Sequence, residues 1–88
     1  MFNQVKIKDV KVEIGQFVKV MRKDKKISQI QLAQTINVSR ITIQNLEAGK
    51  NFTIDTLFKV FQHFDVLKSL YDFFKEKKEE TENLKSLY

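Results

Sequence analysis

Apolar residues in this chain recur mainly at intervals of three and four, the spacing of a helix that buries one face. Val10, Ile14, Phe17, Val18 and Met21 form the first such set, with Asp9 standing where an N-cap belongs. The stretch before it is ambiguous, because Val5, Ile7, Val10, Val12 and Ile14 partly alternate as a strand would. Residues 1–9 are therefore expected to form an N-terminal arm, with the first helix beginning at Val10. Gly15 falls inside that helix, where glycine costs roughly 1 kcal/mol relative to alanine unless close packing calls for it.

The next boundaries carry clearer local signals. Ser28 followed by Gln31 makes a capping box, and Ile30, Leu32, Ala33 and Ile36 supply the apolar residues of a second helix ending near Thr35. Asn37 follows, a residue type that enters the left-handed region at small cost. Ser39 caps a third helix with Ile43 and Leu46 inward, and Gly49 stops it. Thr53 caps a fourth, in which Ile54, Leu57, Phe58, Phe61 and Phe64 form a wide apolar stripe. The phenylalanines at 58, 61 and 64 are expected in the core rather than as a platform for stacking bases. Asp65 marks a turn, and Leu67, Leu70, Tyr71 and Phe74 begin a fifth helix. The absence of proline and the presence of two glycines suit an all-α chain with short connections.

About three residues separate the second and third helices, so the two must cross steeply rather than lie antiparallel. Ala33 is small where they approach, and Val38, Ile43 and Leu46 point back to pack the pair. Arg40, Ile41, Thr42, Gln44 and Asn45 then face away from the core. A short helix that projects polar residues and is braced from behind can enter a major groove about 12 Å wide.

Charge sharpens this picture. The chain of 88 residues carries a net +5, and its 42% apolar residues suffice for one small core. Residues 1–50 hold ten Lys and Arg against four acids, a balance of +6, whereas residues 51–88 hold six Lys against seven acids, or −1. One half thus suits a polyanion. With no cysteine, disulfides and thiolate metal sites are excluded. His63 is the only histidine, the acids follow no constraining motif, and no Gly-rich phosphate loop is present. No catalytic residue, metal site or small-molecule cofactor is therefore expected, and an enzyme is not. The start, MFNQVKIKDV, lacks the apolar core of a signal peptide, and no apolar run approaches the ~18 residues of a membrane span. A cytoplasmic protein with no membrane partner is the expectation.

The run from Ser28 to Lys50, SQIQLAQTINVSRITIQNLEAGK, resembles the helix-turn-helix of the phage repressor, Cro and bacterial xenobiotic-response-element family. The similarity extends from about Gly15 to Leu70. Its marks are Gln after the capping Ser, Leu-Ala within the second helix, Val-Ser before the third, and Leu-Glu-x-Gly at its end. Asn37 and Asp65 depart from the pattern, standing where the family has glycine. The resemblance implies a compact five-helix lambda-repressor-like fold with a C-terminal helical extension, the helix-turn-helix DNA-binding domain spanning residues 10–66 and the C-terminal helix and tail 67–88. It implies a phosphate contact for Gln29, phosphate and base-edge contacts for Ser39, Arg40 and Thr42, and base readout by Ile41 and Asn45, with Gln44 beside them. Lys50 and Asn51 are candidate phosphate contacts. Asn can bond adenine bidentately, Arg can do so to guanine, and Ile can only touch a thymine methyl. Arg22 and Glu47 are implied as a structural pair that orients the third helix, a task for which arginine's fixed fork suits better than lysine.

Function follows as an expectation: a sequence-specific regulator of transcription, a repressor bound to an inverted repeat of double-stranded DNA as a homodimer. Leu67, Leu70, Tyr71 and Phe74 exceed what so small a core needs, and are candidates for dimerisation. The other reading of these four is that they seal the monomer's own core. Thr81, Leu84 and Tyr88 continue the spacing beyond the charged Lys75–Glu80 run, and the tail past Glu79 is expected to fray or to be held by a partner. The alternative is an antitoxin that autoregulates its operon and binds a toxin protein, since the helix-turn-helix and Phe-rich fourth helix are similar to antitoxins paired with kinase toxins. An adaptor that kept the fold without reading DNA fits the basic half and the polar third helix less well.

Overall fold

The computed structural model describes residues 4–86, and these form five helices and no strand. They are α1 (Ile7–Asp24), α2 (Gln29–Thr35), α3 (Arg40–Glu47), α4 (Ile54–His63) and α5 (Leu67–Ser86). The all-α, five-helix expectation holds.

The start of α1 differs from expectation. The helix begins at Ile7 rather than Val10, Lys6 is its N-cap, and Asp9 sits in the first turn. There the Asp9 carboxylate accepts the Lys6 backbone N–H at 3.0 Å. A carboxylate in this position satisfies a free donor and meets the positive end of the helix dipole, so Asp9 supports an earlier start instead of making one at its own position. Residues 7–9 are thus helix rather than arm, and residues 1–3 of the expected arm lie outside the described residues.

The other starts follow the sequence. Ser28 Oγ accepts the Gln31 N–H at 3.0 Å while Gln31 Oε1 accepts the Ser28 N–H at 2.7 Å. Ser39 Oγ and Thr53 Oγ1 accept the N–H groups of Thr42 and Thr56 at 3.1 and 3.2 Å. Helices α1 to α4 all end alike, on a left-handed residue: Lys26, Asn37 and Asp65 at φ 59° and Gly49 at 73°. In each case the next N–H reaches back over five residues, as from Val38 to the Ala33 carbonyl at 2.9 Å and from Val66 to Phe61 at 2.8 Å. Lys26 takes this position without the ease of glycine or asparagine.

Val18, Leu32, Ala33, Ile43, Leu46, Val60 and Phe64 form the core, drawn from α1 to α4 and the turn that follows α4. Phe61 is buried too, with the Phe17 ring edge-on at 6.2 Å, while Phe58 is half-buried. Several residues at apolar spacing nevertheless face outward: Val10, Phe17, Ile30 and Ile54 are exposed. Gly15 explains itself. A Cβ there would stand 2.6 Å from the Leu46 carbonyl oxygen and 2.7 Å from that of Glu47, so only glycine lets α1 lie against the end of α3.

Helix α5 runs 20 residues, so the segment past Glu79, for which the sequence suggests fraying or capture by a partner, is helical through Ser86. Its first turns lean on α4, with Leu67 and Leu70 half-buried, while Tyr71, Phe73, Phe74 and Leu84 are exposed. Tyr88 lies outside the described residues.

Candidate nucleic-acid interface

Helices α2 and α3 are joined by the four residues 36–39. Ala33 is buried at their approach, Val38 is half-buried, and Ile43 and Leu46 are fully enclosed. The inward residues thus fix which side of α3 is left. Arg40, Ile41 and Gln44 are exposed there, Ile41 at 63%, with Thr42 and Asn45 half-buried among them. Ser39 and Thr42 are tied to each other, their hydroxyl oxygens 2.8 Å apart. The expected reading face is therefore one continuous surface.

Behind it, Arg22 and Glu47 make the expected pair. Arg22 Nε lies 2.6 Å from Glu47 Oε2 and Nη2 lies 3.0 Å from Oε1, in the forked geometry that only arginine offers. The remaining Nη1 donates to the Ile27 carbonyl at 2.9 Å, so the guanidinium also ties α1 to the turn before α2. The Glu47 side chain is only 4% exposed. Burial opposes its ionisation, but hydrogen bonds from Arg22 and Gln29 and the charges of Arg22 and Lys19 outweigh this and hold its carboxyl below the usual range. The Arg22 pKa is raised in turn, by its hydrogen bond to Glu47 first.

Gln29 shares in this network, which its sequence position did not reveal. Its Nε2 donates to Glu47 Oε1 at 3.1 Å, so one of its two N–H donors is used inside the protein and one remains. Lys50 and Asn51 are exposed just beyond α3. Lys11, which sequence reasoning did not single out, donates from Nζ to Asn51 Oδ1 at 2.8 Å. A signal for it existed in the spacing of Lys8, Lys11, Gly15, Lys19 and Arg22, which places them on one side of α1.

Away from this surface, Leu67, Leu70, Tyr71 and Phe74 line one open groove of about 520 Å³ with Phe58, flanked by Lys75 and Lys78. His63 is exposed with its ring edge-on to Phe64 at 5.0 Å. Among the described residues no cluster of His, Asp or Glu could hold a metal ion, and no helix is long and apolar enough to cross a membrane.

Comparison with known families gives a match to a helix-turn-helix family over residues 18–68, from the middle of α1 to the start of α5. No curated protein matches the chain.

Proposed function

The chain belongs to the Cro/C1-type helix-turn-helix family of DNA-binding transcription regulators, and from that premise we propose that it is a repressor that binds an inverted-repeat operator as a homodimer. The observation that carries this reading is the outward face of α3. Arg40, Ile41, Gln44 and Asn45 stand together on a helix that Gly15 and the Arg22–Glu47 pair hold from behind. On this reading Ile41, Gln44 and Asn45 meet base edges, and Arg40 meets either a guanine or a phosphate. Ser39, Thr42, Gln29, Lys50 and Asn51 meet the backbone. The DNA-binding unit runs from α1 to Val66, and residues 67–88 serve dimerisation or a partner.

Dimerisation is supported by the open groove along Leu67, Leu70, Tyr71 and Phe74, whose exposed aromatic surface a second copy would cover. Two copies related by a two-fold axis present two α3 helices, so half-sites should lie about one helical turn apart. A regulator of this kind works beside the chromosome, and we place it in the cytoplasm on that ground. The antitoxin reading has one supporting observation, that Phe73 and Leu84 are exposed on α5 outside the groove. A toxin gene beside this one, and a toxin that copurifies with the chain, would favour it.

Gel shifts with the DNA upstream of the protein's own gene test the proposal. Preference for that DNA over random duplex at moderate salt is expected, and equal binding to both counts against operator recognition.

A further inference from the structure

The contact between Lys11 and Asn51 joins α1 to the loop beyond α3 across 40 positions of sequence. The loop is held close because Gly49 rests on α1, where a Cβ would meet Val12 Cα and Cγ2 at 3.1 Å. A lysine ammonium has donors only, so it must face the amide oxygen. The Asn51 NH2 group is thereby turned away from Lys11, and its donors meet no other described residue. Lys11 itself uses one of three donors.

The surroundings are basic. Lys8, Lys11 and Lys19 share the side of α1 on which Gly15 meets α3 and Arg22 meets Glu47. Lys50 stands exposed beside Asn51, and neither Lys8 nor Lys11 forms an ion pair with a described residue. Unneutralised positive charge therefore continues from the end of the recognition helix onto α1.

We infer that Lys11 and Asn51 form a clamp for a DNA backbone phosphate outside the stretch that α3 reads, with Lys8 extending the same track. The inference rests on the DNA-binding reading above and widens each half-site's backbone contact. Lys11 supplies charge and also fixes the Asn51 amide so that its N–H groups point at the phosphate. An acidic protein surface is the other class that could meet such a track, and the test separates the two.

The full chain and its variants are titrated by fluorescence anisotropy against the upstream DNA and against a random duplex, between 50 and 200 mM salt. One lost phosphate contact should lower the slope of log affinity against log salt by about 0.9. Lys11→Gln should lose that amount on both DNAs alike, and Lys11→Arg should keep it. Asn51→Asp, which still accepts from Lys11 but offers no N–H, should weaken both complexes. Lys8→Gln touches nothing on the loop and should show its own decrement even if Lys11→Gln impairs folding. Wild-type chain that binds neither duplex overturns the DNA reading itself. Wild-type chain that binds, with slopes unchanged in folded Lys11→Gln and Lys8→Gln, overturns the clamp alone and leaves the track to an acidic partner.

Discussion

Gly15 lies so close to Leu46 that an added Cβ would stand 2.6 Å from the Leu46 carbonyl oxygen. That oxygen belongs to backbone, which cannot swing aside as a long side chain would. Gly15→Ala would improve helix propensity by roughly 1 kcal/mol but must push α1 and α3 apart, and overpacking of this kind costs typically about 1–3 kcal/mol. The contact should win. Thermal melts are expected to show a lower Tm, with DNA affinity falling alongside because α3 has moved. An unchanged or raised Tm would mean the helices yield more easily than their backbones suggest.

The Arg22–Glu47 pair makes a different demand. Removing one partner strands a buried charge, so Arg22→Met should destabilise by about 3–5 kcal/mol. Replacing both, as in Arg22→Met/Glu47→Leu, should recover most of that loss. The Glu47 carboxyl is held below its ordinary value of 4.5, so the folded state binds a proton less readily than the unfolded one. Its contribution is complete above pH 4.5 and declines as pH falls through the folded value. Urea titrations below that pH should show a steeper loss in the wild type than in the double variant.

Lys26 occupies the left-handed region at φ 59°, where a side chain costs roughly 1–2 kcal/mol. Glycine has no such penalty but gains freedom in the unfolded chain, which offsets part of the benefit. Lys26→Gly should therefore raise the urea midpoint by an amount worth up to about 1 kcal/mol, with an unchanged slope. A lower midpoint would show that the lysine's other contacts outweigh its backbone.

Lys26 also shows where the sequence was hard to read. The ends at Asn37, Gly49 and Asp65 were legible because those residue types favour the turn, whereas nothing in a lysine's own chemistry marks it for the left-handed region. The starts at Ser28, Ser39 and Thr53 were legible because each cap bond closes within three residues. Asp9 misled because a carboxylate serves equally at the cap or one turn in. Spacing marked Val10, Ile30 and Ile54 as apolar positions but could not say whether a neighbour would cover them. The outward side of α3 could be deduced from its inward residues. Spacing put Lys11 on the side of α1 that carries Gly15 and Arg22, but the bonds of Gln29 to Glu47 and of Lys11 to Asn51 depend on how α1, α2 and the loop after α3 come together, and local pattern does not name those partners.

The groove along α5 bears on assembly. In Leu70→Asp/Phe74→Asp two charges enter its apolar lining, and light scattering should report the single-chain mass of 10.4 kDa in place of twice that value. A 1–78 truncation keeps all four groove residues and should remain a dimer. A full-length chain that is monomeric at tens of micromolar, with and without DNA, would contradict dimerisation through this face.

The central claim is that α3 reads bases while its neighbours hold the backbone, and paired titrations of Asn45→Ala and Gln29→Ala against single-base variants of the operator test it most directly. Asn45→Ala should lose about 1–3 kcal/mol on the cognate site and flatten the preference at one base pair. Gln29→Ala should weaken every sequence by a similar factor, because phosphates carry no sequence information. If Asn45→Ala also loses affinity uniformly, with every base preference intact, α3 does not read the sequence through Asn45 and the account is contradicted.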